Sequence, residues 1–273
     1  MKINRRFNAE ANRITWTTRF TWLRRGFCAL GVSSVLAAPS YAQASACDQI
    51  LGDIVGVALD AKTGELLYCE QHKQIDALNW RVEYSVNGQV IAEKTLDYSR
   101  AEISPQVKQS DYRTGELREV TEHADQWLVS YRPDRDARTQ TKALSQEGVQ
   151  VIDAGFDFFV RQQWRQLAAG ETVVFDFISV PHLKAIALRA KKVSMDNCKS
   201  FAVSAEINTP QCISVEANSG LLRLFVDRLV LLYDEQQRLR GFKGAVNIQN
   251  SAQDTQDAII YYRYPSRPDE GTE

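Results

Sequence analysis

Hydrophobic and polar residues alternate with period two along most of the chain. Ile54-Val55-Gly56-Val57-Ala58-Leu59 is an apolar strand, residues 60–65 are a turn, and Leu66 to Glu70 returns as a hairpin partner. Trp80 to Val86 alternates, Asn87-Gly88 marks a tight hairpin, and Val90 to Tyr98 is the answering strand. A more polar hairpin spans Asp111 to Glu122 and turns near Thr114-Gly115, and Gln126 to Arg132 is a further strand. Residues 133–148 are charged and read as a loop or exposed ribbon.

The period then changes once. In Ile152 to Gly170 the apolar residues Phe156, Phe159, Val160, Trp164 and Leu167 fall on one helical stripe. Asp153 or Gly155 is the expected N-cap and Gly170 the left-handed C-cap. Strands resume at 172–178, 183–193, 201–207, 212–215, 229–233, 239–248 and 258–264. Ser219 is placed to cap a short second helix ending near Asp227. Gly241 and Gly244 suggest bulges or a bend. The expected class is mainly β within α+β. A strongly curved antiparallel sheet or open barrel wraps one central helix, with the short helix added.

The N-terminal stretch carries a different pattern. Basic residues run from Lys2 to Arg25, a short apolar run extends from Phe27 to Ala38, and Ala42-Gln43-Ala44 offers a signal-peptidase site. The run is too short for a permanent span. The expected organisation is a cleaved signal at 1–44, one β-rich domain at 45–264 and a polar tail at 265–273. Arg24-Arg25-Gly26-Phe27 fits a twin-arginine signal, but an ordinary secretory signal is expected over it. Both routes deliver the chain to the periplasm.

That compartment gives the cysteines their meaning. Cys28 leaves with the signal; Cys47, Cys69, Cys198 and Cys212 remain as an even set in an oxidising environment. Three connectivities are open, and locality favours Cys47–Cys69 with Cys198–Cys212. Zinc is disfavoured by the wide spacing. A lipoprotein box ending at Cys47 lacks its usual leucine, so a disulfide role is expected there.

Charge excludes some functions. Lys plus Arg number 33 and Asp plus Glu 34, so nothing points to nucleic acid. No later stretch is long and apolar enough for a transmembrane helix. His72, His123 and His182 lack metal-ligand spacing, and no nucleophile elbow, phosphate loop or zinc-protease helix occurs. Catalytic residues, metal and cofactor are therefore expected to be absent. Asp153 and Asp157 lie four apart, but capping and dipole pairing account for them. Arg132, Arg135 and Arg138 offer an anionic-headgroup contact against the commoner solvated loop.

The segments GVALDAKTGELLYCEQH, DAGFDFFVRQQWRQLAAG, LLYDEQQRLRGFKGAVNIQ and IIYYRY resemble a family of exported bacterial proteins of unknown function. That family is similar in outline to the lipoprotein-carrier half-barrel, which curls round helices and holds an acyl chain. The resemblance brings no catalytic residues. The expected function, read from the aromatic stripe, is a non-enzymatic binding protein with an acyl chain or other hydrophobic ligand beside Phe156, Phe159 and Trp164. The alternative is a structural or protein-interaction module of the envelope, whose partner is an envelope protein and whose core is filled.

Overall fold

A computed structural model describes residues 47–201, 207, 209–219 and 228–264. The expected signal peptide, the helix at 220–227, most of the strand at 201–207 and the tail lie outside the described residues. All the described residues lie within Pro39–Glu273.

Among the described residues, fifteen strands form one curved sheet. The first half comprises β1 (Ile54–Asp60), β2 (Leu66–Gln74), β3 (Asn79–Val86), β4 (Gln89–Asp97), β5 (Gln106–Asp111), β6 (Leu117–His123), β7 (Gln126–Arg132) and β8 (Gln140–Ser145). After β9 (Gln150–Val151) come the helices α1 (Gly155–Gln162) and α2 (Trp164–Ala168). The second half comprises β10 (Thr172–Ser179), β11 (Lys184–Val193), β12 (Gln211–Ala217), β13 (Leu229–Tyr233), β14 (Leu239–Ala245) and β15 (Asp257–Arg263). A short 3-10 turn, Met195–Cys198, was not expected from the sequence.

The strand order is β8-β7-β6-β5-β4-β3-β2-β1-β15-β14-β13-β12-β11-β10-β9. Every pairing is antiparallel except β9 with β10. The Asn87-Gly88 turn forms as its residues require, with φ of 51° and 77°. The charged stretch before the helix supplies an edge strand, β8, exposed along almost all its length.

The two ends of this order are sequence neighbours, because β8 is followed directly by β9. No ladder joins them among the described residues, so the sheet is not closed. A side chain bridges the gap instead: Gln150 Nε2 donates to the Ser145 carbonyl and Trp127 Nε1 donates to Gln150 Oε1, each at 2.8 Å. The Ile152 amide donates to the Ile103 carbonyl at 3.0 Å.

The single long helix expected from the stripe is corrected to two short ones. It starts at Gly155 and breaks at Gln163, although Gln163 N to Phe159 O and Leu167 N to Gln163 O carry helical bonding across the junction. Nothing in the neighbouring side chains explains the break. Gly170 ends the pair at φ 86°, as a left-handed cap does.

Both local disulfides form. Cys47–Cys69 ties the start of the described chain to β2, and Cys198–Cys212 ties the 3-10 turn to β12. Each closes a loop worth about 3 kcal/mol in the chain-entropy picture.

Candidate functional site

The aromatic stripe is the first place to look. Phe159, Val160 and Leu167 are fully buried, and Phe156 and Trp164 are partly buried in the same cluster. The rings meet strand residues: Phe159 lies 4.6 Å from Phe175, Phe156 lies 5.5 Å from Phe175, and Trp164 meets Tyr233 edge-on at 5.7 Å. These are ordinary aromatic packing distances. Phe175 reaches the helices because period two puts Val173 and Phe175 on the inner side of β10, while Val174 is exposed.

The expected Asp153 cap is corrected. Asp153 sits at φ 43° before the helix and makes no capping bond to the second or third helical amide. Its carboxylate turns inward, 2.6 Å from Lys94 Nζ, and accepts from Asn247 Nδ2 at 3.0 Å and from the Ala154 amide at 2.8 Å. Asp157 points elsewhere: it accepts from Tyr233 Oη at 3.1 Å and pairs with Arg161 at 3.0 Å. Burial raises its carboxyl above the usual carboxylate range, and Arg161 opposes that shift. The two carboxylates thus serve different partners and do not form an acid–base pair.

Lys94 belongs to a polar row across the buried side of the sheet. It stands opposite Gln109, which stands opposite Arg118, which stands opposite Tyr131. These residues share strand parity with Ala92, Leu96, Val107, Val120 and Val129 of the core. Arg118 bonds Glu116 at 2.9 Å and Asn247 Oδ1 at 2.9 Å, and Gln109 Nε2 donates to the Asn247 carbonyl at 3.2 Å. Asn247 therefore links Arg118 to Asp153 and Lys94. Gln109 Oε1 is buried without a hydrogen-bond partner. Each cation of the row has its own carboxylate beside it, Asp153 for Lys94 and Glu116 for Arg118, which suits a network that fixes register.

The buried carboxylate of Glu70 lies 2.9 Å from His72 Nε2. The hydroxyls of Tyr68, Tyr84 and Tyr262 are pushed well above the ordinary tyrosine value, by burial first and then by the Glu70 charge. His182 Nδ1 lies 2.8 Å from Ser179 Oγ in the turn between β10 and β11. No group of three or more His, Cys, Asp or Glu residues suited to a metal occurs among the described residues.

One open cleft of about 550 Å³ is lined by Arg113, Thr114, Asp134, Arg135 and Gln253 among others. Its cations are engaged: Arg113 binds Asp111 and the Gln249 carbonyl, and Arg135 binds the Tyr112 carbonyl. Arg132 likewise donates to the Gly115 carbonyl. Another cleft, of about 330 Å³, runs beside Ile75, Trp80, Arg81, Thr95 and Lys108. Neither is lined by Phe156, Phe159 or Trp164.

No protein-family model matches the chain, and no curated protein matches it. A solved structure described as a beta-barrel-like protein of domain of unknown function DUF1849, from Brucella abortus, is similar with a TM-score of 0.47 and 5% identity. The match covers 80% of this chain and 100% of that one. It carries no function to this chain.

Proposed function

We propose that this is an exported periplasmic protein that acts, without catalysis, as a structural or protein-interaction module of the cell envelope. The carrying observation is the occupied aromatic face: Phe159 is buried against Phe175 at 4.6 Å, and Trp164 stands against Tyr233. A ligand beside that face would have to displace the protein's own rings. The signal-like N-terminus and two disulfides support export. No helix among the described residues is long and apolar enough to cross a membrane.

In this reading the curled sheet encloses the start of α1. Lys94 and Tyr98 reach it from one half, and Tyr233 from the other. One observation favours the competing reading, an acyl chain or other hydrophobic ligand: Phe156 and Trp164 are only partly buried.

Native mass spectrometry of gently purified periplasmic protein, with lipid extraction of the same sample, separates the two. The expected result is a bare mass with both disulfides closed and no extracted lipid. A bound species of lipid mass, lost on denaturation, would refute the filled core and favour the carrier.

A further inference from the structure

We propose that Arg240, with Arg238 and Tyr264, forms a site for a phosphate-type oxyanion beside the turn between β13 and β14. The proposal goes beyond the filled-core reading and does not depend on it.

The turn is built around Asp234, a buried carboxylate. It accepts from the Arg238 amide at 2.9 Å and from Arg238 Nε at 2.8 Å. Its Oδ2 lies 3.7 Å from an Arg240 nitrogen, close enough for attraction and too far for a hydrogen bond. Two guanidinium groups thus share one carboxylate. The neighbouring Glu235 carboxylate accepts from Gln236 at 2.7 Å.

Arg240 is left short of acceptors. A guanidinium carries five N–H donors in a rigid fork. Arg240 Nε is buried and has no hydrogen-bond partner. The arginines of the 550 Å³ cleft contrast with it, since their donors reach a carboxylate or backbone carbonyls.

The group is also held in position. The guanidinium carbons of Arg238 and Arg240 stand 5.2 and 5.9 Å from the centre of the Tyr264 ring. That ring is fixed by its own hydroxyl, which donates to the Leu239 carbonyl at 3.0 Å. The Arg240 side chain as a whole remains 19% exposed, so an anion can approach the guanidinium from solvent, although Nε itself is shielded and is reached only if the side chain shifts. Two guanidinium groups on one carboxylate and an unused donor favour a tetrahedral oxyanion, to which arginine forks bind in bidentate fashion. Free phosphate and a phospholipid headgroup both present that chemistry.

The test is a titration of the full processed chain with inorganic phosphate at constant ionic strength, followed by the arginine Nε–H resonances. The expected result is a saturable shift of the Arg240 signal, identified by its absence from Arg240→Lys. Arg240→Gln should weaken binding about tenfold or more, the loss of one charge-assisted pair. Arg100→Gln, at an exposed arginine paired with Glu122, should bind as the parent does. If Arg240→Gln misfolds by near-ultraviolet circular dichroism, Arg240→Lys carries the test, because it keeps the charge and loses the fork.

Vesicle sedimentation distinguishes the sources. Arg240-dependent binding to phosphatidylglycerol vesicles, and not to phosphatidylcholine, assigns a headgroup; phosphate binding without vesicle binding assigns the free ion. No saturable shift together with no Arg240-dependent vesicle binding would overturn the proposal. So would binding that survives unchanged in the Arg240 variants.

Discussion

Replacing Asp153 with Asn leaves the buried Lys94 ammonium without a carboxylate. The substitution isolates charge, because Asn suits the left-handed backbone at residue 153 as well as Asp does. The Lys94 side chain is 7% exposed and that of Asp153 16%, so solvent screens the pair weakly. Breaking a buried pair by removing one partner costs about 3–5 kcal/mol. The lower end applies here, since Asn Oδ1 still accepts one bond from Lys94, Asn247 or Ala154. We expect a loss of about 3 kcal/mol. With a denaturant slope of about 2 kcal/mol/M, the urea midpoint should fall by about 1.5 M at unchanged slope. Lys94→Met should cost a similar amount, and the double variant less than the sum. A coupling energy of about 2 kcal/mol is expected from the cycle. Single losses below about 1 kcal/mol, or a coupling within about 0.5 kcal/mol of zero, would refute the buried-pair argument.

Gly155→Ala should destabilise by about 3 kcal/mol, because its new Cβ would collide with the Ile103 carbonyl oxygen and fall 2.7 Å from Pro105 Cδ. A thermal melt checks this; an unchanged or raised midpoint would show that the 101–105 segment yields freely. Asp157→Asn tests a pH effect. Burial raises the native carboxyl above its ordinary 3.8, so the native state holds the proton longer than the unfolded chain does. Parental stability should therefore decline as pH rises from 3.8 through the raised value. Asn does not titrate, so the variant should lose that decline; parallel stability–pH curves for parent and variant would contradict it.

Most strands were legible from alternation, and β7 matches its expected bounds. Local chemistry also sufficed for the Asn87-Gly88 turn, the Gly170 cap and the favoured disulfide pairing. The polar row was missed for an instructive reason. In β4 the order Ala92-Glu93-Lys94-Thr95-Leu96 gives Lys94 the parity of two apolar residues, and Gln109 shares parity with Val107. The signal was present, but a lone polar residue between apolar ones is normally assigned to solvent. Asp153 was misread because capping is a local interaction, whereas its partner Lys94 lies in another strand and is brought near only by the sheet. Short β9 had no run long enough to detect, and the unmatched donor of Arg240 appears only once Asp234 and Tyr264 are in place.

The strand order has a consequence for how the chain can be cut and rejoined. β15 pairs with β1, and Arg263 reaches back to Asp48 at 2.6 Å, so the two ends of the described fold adjoin. Joining them and opening the chain between β8 and β9 would make sequence order and sheet order identical, β9 through β15 and then β1 through β8. In that circular permutant every strand would pair only with its immediate sequence neighbours. The native chain has one pairing, β1 with β15, that waits for nearly the whole domain to be made. Among the strand ladders, the long-range share of contact order, and the loop-closure entropy that goes with it, falls on that single seam.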